Sequence, residues 1–442
     1  MTLPARNRIV CAGLMAVPLA VLIGHSLYFN FVCDDAFIFF RYADNLLRYG
    51  ELSFNPGQRV EGYTSFLWTV LIAAGMALGS EPIIWSLGLG LICGCATLVV
   101  VQRLGTVLDG LVEPGQPRGA IRLWRFVAPA LLSVTPAFAC WTSGGLETAL
   151  FTLLVTAAFW RYWAESGKPS AVPWSGLLFG LACLTRPEGF LFFGLTLLHR
   201  LVDQGLRCSR RRPARRDWIW LALFLLPVLP HQLWRISYYG QVLPNTYYAR
   251  VAGLEHEGRG LLYLQMFVRH YGLWIILLLL VVPRAQPGGR RVTSFYTHLA
   301  TLVLVVMVYV AGVGGDFMAL HRFFVPVIPL LALVLADELR NLHALAVPSV
   351  PGTGPVFWLC TPLRRFSLQE SCCIAHHCRV AAWKPAVPRG WTRSAISSGS
   401  PSRTPPSVVG WLNTRTRTLG SRPPLPGRFP STAACGLTTC TA

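Results

Sequence analysis

The chain has 442 residues, 53% of them hydrophobic and only 13% charged, with 39 Lys and Arg against 19 Asp and Glu. A soluble domain carries about a quarter charged residues, so this composition and a mean hydropathy of +0.48 exclude an ordinary soluble fold. The formal charge of +20 would suggest nucleic acid if it formed one patch, but ten Arg and one Lys against the single acid Glu370 lie from Val350 onward, and the rest sits in short stretches beside apolar segments. That distribution marks cytoplasmic loops, and no nucleic-acid partner is expected.

Apolar segments fall at 9–31, 66–79, 83–102, 126–140, 148–163, 174–184, 189–198, 218–234, 271–284, 297–313 and 323–336. The first is long enough to span a bilayer and lacks a small-residue cleavage site, so it reads as a retained helix rather than a signal peptide. If every segment crossed the membrane, the basic stretches would repeatedly fall outside. Segment 66–79 is roughly 21 Å long as a helix, short of a ~30 Å hydrocarbon core, and reads instead as an interfacial helix within a first external loop, 31–82. The basic stretches 103–125, 199–217 and 284–291, with the Asp337–Arg340 end, then all become cytoplasmic. Segments 174–184 and 189–198 read as a helical hairpin with its tip at Thr185–Gly189. The expectation is an all-α polytopic membrane protein of about ten transmembrane or hairpin helices, comprising a membrane domain over 1–340 and a tail over 341–442.

The tail is rich in Pro, Ser and Arg and has no helix-length apolar run, the composition of disordered chain or of a shifted reading frame. Six of the thirteen cysteines lie there, and no regular disulfide framework can be read. Cys372, Cys373, His376, His377 and Cys378 cluster, but at a spacing that fits no zinc pattern.

The revised topology was drawn from the basic stretches alone, yet it gathers the polar motifs on one face. Asp34, Asp35 and Glu61 lie in the first loop, Glu147 in the second, Arg186 and Glu188 at the hairpin tip, and Asn245 and Asp316 in later loops. Adjacent carboxylates beside a helix are costly unless water, a cation or a substrate satisfies them. Asp34 or Asp35 could take a proton from an acceptor hydroxyl while the other orients it or holds a divalent cation, the one cofactor these residues suggest; a helix cap is the plainer alternative. Glu147 follows Ser143-Gly144-Gly145-Leu146 at a helix start, where a carboxylate also complements the dipole. Arg186 and Glu188 interrupt apolar sequence, either for function or as an internal pair that fixes the hairpin. In Pro244-Asn245-Thr246-Tyr247-Tyr248 the aromatics could stack on a sugar or form an interfacial belt. Asp316 follows Gly314-Gly315 and precedes Arg322, which could hold a phosphate or snorkel.

Together these motifs resemble the GT-C glycosyltransferases, and within them the mycobacterial terminal arabinofuranosyltransferase group. The likeness is carried by Asp34-Asp35 with Arg41-Tyr42, Phe54-Asn55-Pro56-Gly57, Arg59-Val60-Glu61-Gly62-Tyr63-Thr64, Gly145-Leu146-Glu147-Thr148, Thr185-Arg186-Pro187-Glu188-Gly189, Pro244-Asn245-Thr246-Tyr247-Tyr248 and Gly315-Asp316-Phe317-Met318. The resemblance implies transfer of a sugar, arabinofuranose or mannose, from a polyprenyl-phosphate donor to a glycan, lipid or protein acceptor, at the extracytoplasmic side of the cell membrane. It implies a catalytic aspartate at Asp34 or Asp35. Substrate contacts are expected from Arg41, Asn55, Glu61, Tyr63, Glu147, Arg186, Glu188, Asn245, Tyr247, Asp316 and Arg322. The competing class is a transporter or flippase of a lipid-linked sugar; it should show an internal repeat of broken helices, whereas the sequence offers one hairpin.

Overall fold

A computed structural model describes residues 5–112, 123–166, 168, 170–207, 214–242, 244–245, 258–280 and 289–346. The loop position Tyr247, the Cys372–Cys378 cluster and the tail from 347 onward lie outside these residues. The described residues form helices joined by short turns, with no strand among them.

Fourteen α-helices follow in order: α1 (Ala5–Phe29), α2 (Ala36–Tyr49), α3 (Phe66–Ala77), α4 (Pro82–Val112), α5 (Trp124–Ser133), α6 (Pro136–Thr142), α7 (Thr148–Glu165), α8 (Ser175–Thr185), α9 (Gly189–Arg207), α10 (Arg215–Tyr239), α11 (Arg259–His270), α12 (Leu273–Leu280), α13 (Arg290–Gly312) and, after a 3-10 segment over Ala319–Val327, α14 (Ile328–Ala346). Five stretches are long and apolar enough to cross a membrane: Ile9–Phe29, Pro82–Val112, Arg215–Tyr239, Arg290–Gly312 and Ala319–Ala346. The α5–α6 pair, α7, the two arms of the α8–α9 hairpin and α12 complete the ten expected elements among the described residues. Val17, Leu27, Ile92, Leu226, Leu233 and Val308 stay exposed on the long helices, a larger apolar surface than water tolerates and one suited to lipid. The chain is an all-α polytopic membrane protein.

Three local differences from the sequence reading have physical causes. Segment 126–140 is two helices because Pro136 pushes Thr135 into an extended conformation (φ −76°, ψ 115°). The first loop contains a helix the apolar scan does not mark, α2, whose buried residues Phe39, Phe40, Tyr42 and Ala43 recur at helical spacing while Arg41, Asp44 and Arg48 point away. The third is α11, which precedes the apolar segment 271–284 and packs on the end of α13 so closely that a Cβ on Gly260 would meet the Ala311 carbonyl oxygen.

Helix α4 separates two polar ends. Near its start, the Ser86 hydroxyl approaches Gly145, and a Cβ on Gly90 would lie 2.2 Å from the Thr142 carbonyl oxygen. Near its finish, Asp109 receives Arg125 and Arg340, each at 2.6 Å. Asp109 is twenty-three residues beyond Ser86, about 35 Å of helix and enough to cover a ~30 Å hydrocarbon core. The second end also holds Arg200 against Asp217, Arg161 against Glu165 and Tyr296 against Asp337. There the basic stretches tie helices together, while the motifs singled out above lie at the first end.

Candidate active site

The Asp34–Asp35 turn is held from three sides. Cys33 N–H donates to the Gly144 carbonyl at 3.0 Å, and the Ala36, Phe37 and Ile38 amides donate to the carbonyls of Cys33, Asp34 and Asp35, starting α2. Asp34 is exposed, and its Oδ1 accepts the Asp35 amide at 3.0 Å. Asp35 occupies the N-cap position, yet its side chain makes no capping bond. Burial raises the Asp35 pKa; the nearby Arg322 opposes the rise, while Asp34, Glu147 and Asp316 add to it. Three carboxylates, one from its own motif and two from separate motifs, and one guanidinium thus act on Asp35. Cys33 is no nucleophile here, because burial pushes its thiol up to about 12.

Gly145 brings the second motif into place. Its positive φ of 80° turns the chain sharply, and a Cβ there would press on Ala36 and Val32 at 3.2 Å. Trp68 of α3 donates its indole N–H to the Gly145 carbonyl. Glu147 is thus buried at the start of α7, where Arg186 meets it at 2.8 Å. Arg186 also donates through Nη2 and Nε to both oxygens of Glu188, at 2.9 and 3.2 Å. Burial would lower the Arg186 pKa, but Glu188 and Glu147 reverse that and hold it raised. The internal pair considered above is therefore present, and Glu147 extends it into a link between α7 and the hairpin.

The fourth motif closes the site. Gly314 and Gly315 turn at φ 84° and 72°, and Asp316 receives the Nε of Arg322 at 2.7 Å. Leu320 and His321 sit in the left-handed region at φ 57° and 55°, a strain of about 1–3 kcal/mol each between the two partners of this pair. Trp141 donates to the Ala319 carbonyl at 3.1 Å, and Met318 lies 3.8 Å from Cys33 through sulfur. Phe323 lies beneath both guanidinium groups, 5.2 Å from Arg186 and 5.4 Å from Arg322. Arg186, Glu188 and Arg322 line a narrow cleft whose remaining wall includes Leu191, Phe192, Val306 and Val310. Arg322 is buried, and its guanidinium lies over the Trp141 ring at 5.5 Å as well as over Phe323.

Asp34, Asp35, Glu147, Arg186, Glu188, Asp316 and Arg322 are thus brought together, whereas other expected site residues are placed elsewhere. Arg41 spends its Nε on the Phe54 carbonyl at 3.2 Å. Glu61 is buried against Arg235 of α10 at 2.7 Å, Tyr63 receives a hydrogen bond from Tyr239 at 3.2 Å, and the Asn245 amide donates to the Glu61 carbonyl. These residues fasten the first loop to the end of α10. Asn55 is exposed beside Gln58. Among the described residues no group of three or more His, Cys, Asp and Glu is placed to hold a metal ion; Asp34 and Asp35 form a two-carboxylate turn.

Trp141, Tyr263 and Phe323 were not singled out from the sequence. Tyr263 comes from α11 and would contact a Cβ on Gly315 at 2.7 Å; the only available signal was the alternation of Arg259, Gln265 and Arg269 with apolar residues. Phe323 had none beyond adjacency to Arg322, because its role under Arg186 depends on distant elements meeting.

No family model matches the chain. It is 30% identical over 355 residues to a terminal beta-(1->2)-arabinofuranosyltransferase of Mycobacterium tuberculosis, covering 73% of this chain and 55% of that protein. It is 29% identical over 341 residues to the protein of the same name from Corynebacterium glutamicum, covering 68% of this chain and 47% of that one. The chain spans about half the length of these curated relatives. The chain is thus an all-helical membrane protein whose sequence is similar, over about half their length, to these two terminal arabinofuranosyltransferases.

Proposed function

We propose that the chain transfers an arabinofuranosyl unit from a polyprenyl-phosphate donor to a hydroxyl of a glycan acceptor, at the extracytoplasmic face of the membrane. One observation carries this reading. Asp35, uncapped and with a raised pKa, lies in the field of Arg322, and Arg322 is itself among the residues that line an apolar-walled cleft. A carboxylate base in the field of a guanidinium that lines an apolar slot suits a lipid-phosphate leaving group.

In the proposed step, Asp35 removes the acceptor hydroxyl proton as that oxygen attacks the anomeric carbon. The bond from the anomeric carbon to the phosphate oxygen breaks, and its electrons leave with the polyprenyl phosphate, whose charge Arg322 meets. Direct displacement inverts the anomeric carbon. Arg186 has its nitrogens committed to Glu147 and Glu188, so it contributes charge and position rather than a phosphate contact. Asp34 supports Asp35 by accepting its amide. A divalent cation, if used, would sit on Asp34 and Asp35 and take its remaining ligands from the donor phosphate and water.

The test is transfer of radiolabelled arabinose from a polyprenyl-phosphate donor by membranes carrying the full chain. Asp35→Asn should lower the rate by about 100-fold or more, the usual worth of a positioned base, and Asp34→Asn by less. Full activity in both variants at equal expression would overturn the assignment.

A further inference from the structure

Along α2 from Asp35 lies a second concavity that the proposed step does not use. It is an open hollow of about 380 Å³ lined by Ile38, Tyr42, Phe54, Asn55, Gln58, Val60 and Gly62. Ile38 and Tyr42 stand four residues apart on one face of α2, the helix whose first turn begins at Asp35. Tyr42 is seven residues beyond Asp35, which places the hollow about 10 Å along the helix from the base.

The far wall is built to keep its shape. Asn45 donates to the carbonyls of Ser53 and Phe54 at 2.8 and 2.9 Å, and Arg41 to that of Phe54. Glu51 accepts the Gly57 amide at 2.8 Å, where a positive φ of 81° makes the turn. Tyr42 donates its hydroxyl to the Val60 carbonyl at 2.7 Å and accepts the Gly62 amide at 2.8 Å. A loop so fixed costs little ordering entropy when a ligand arrives.

The lining also selects a ligand class. Phe54 is 46% exposed and presents an aromatic ring. Asn55 and Gln58 pair through Nδ2 and Oε1 at 3.2 Å, leaving the carbonyl oxygen of Asn55 and the NH₂ of Gln58 for outside partners. No charged side chain belongs to the lining, and the nearby Arg59 guanidinium sits over the Tyr238 ring instead. An uncharged wall with one aromatic face and paired amides suits a neutral polyhydroxyl ring, not a phosphate or an acyl chain.

We propose that this hollow is a subsite for a sugar residue of the acceptor glycan, set back from the reacting hydroxyl, so that the enzyme favours a chain over a single sugar. This rests on the glycosyl-transfer reading above, and two measurements separate the failures. The first is equilibrium binding of a linear arabinofuranose hexasaccharide to the purified full chain in detergent. The second is the ratio of kcat/KM for that hexasaccharide to kcat/KM for a methyl arabinofuranoside. Phe54→Ala and the double change Asn55→Ala with Gln58→Ala should each weaken hexasaccharide binding and lower the ratio by about tenfold, the effect of losing one good contact. Phe54→Trp should retain both. No hexasaccharide binding by the unsubstituted chain, binding that ignores these substitutions, or equal losses on the two acceptors would overturn the subsite. Substitution-sensitive binding by a chain that transfers nothing would keep the subsite and remove the transferase reading.

Discussion

Asp35, the proposed base, has its pKa set by burial and by charges on its own loop and two others, and their signs can be separated by titration. A base must be deprotonated to act, so activity falls as pH drops through its pKa, and the raised pKa of Asp35 places that fall above the ordinary aspartate range near ~3.9. Arg322 lowers the Asp35 pKa and Asp34 raises it. In the pH profile of residual kcat/KM, Arg322→Gln should therefore move the acid limb to higher pH, and Asp34→Asn should move it to lower pH. Shifts of the same sign in both variants would show that the limb belongs to another group. Arg186 sets a different kind of test because it is paired on both sides, with Glu147 buried and Glu188 nearly so. Removing one partner from a buried ionic group leaves uncompensated charge and costs about 3–5 kcal/mol. Arg186→Ala should lower the thermal midpoint of the purified chain sharply, and Arg186→Lys should recover part of it, since a lysine keeps the charge but cannot reproduce the forked contact with Glu188. Equal midpoints for the alanine variant and the unsubstituted chain would mean that the hub does not hold the hairpin.

Among the elements, α4 and α6 show how packing sets the site from a distance. Gly90 lets the Thr142 carbonyl approach α4, and Thr142 lies five residues before Glu147. A Cβ at this position would sit 2.2 Å from that oxygen, so Gly90→Ala must move backbone and should destabilise by about 1–3 kcal/mol, the usual cost of overpacking, while also reducing transfer. Gly88 has nothing within 4 Å of the same added atom, and Gly88→Ala should be neutral or stabilise the helix by up to about 1 kcal/mol. Thermal midpoints of the two variants, measured side by side, separate a contact effect from helix propensity. The long apolar helices were legible in the sequence because length and hydropathy suffice for them, and the break at Pro136 shows where that signal fails. Helix α2 escaped the apolar scan because half of it is polar, although its Asp34–Asp35 entrance was singled out. The convergence of Asp35, Glu147, Arg186 and Asp316 was legible as a shared face. Its pairing was not, since nothing local indicates that Arg186 reaches Glu147 across 39 residues or that Glu61 turns away to Arg235.

For the whole molecule, the question is which end faces which side of the membrane, and α4 poses it within one helix. Glu81 is exposed beside the start of α4, at the end that holds the carboxylate cluster; Gly110 is exposed near its finish, beyond Asp109 and its two arginines. The positive-inside tendency counts Lys and Arg near the ends of spans, and Arg103, Arg125, Arg215, Arg290 and Arg291 all belong to the Gly110 end. The carboxylate end has arginines too: Arg48, Arg186, Arg235 and Arg322 are each engaged by an acid, while Arg41 donates to the Phe54 carbonyl and Arg59 lies over the Tyr238 ring. The proposed use of a lipid-linked donor requires the carboxylate end to face outward, where no nucleotide sugar is available. A membrane-impermeant maleimide applied to intact cells should therefore label Glu81→Cys above the background of the unsubstituted chain, and should label Gly110→Cys only after the membrane is opened. The reverse pattern would turn the site toward the cytoplasm and remove the reason for a lipid donor, while leaving the internal geometry of Asp35 and Arg322 untouched. Equal labelling of both in intact cells would mean that α4 does not cross, and the 35 Å separation of the two polar ends would then need another explanation.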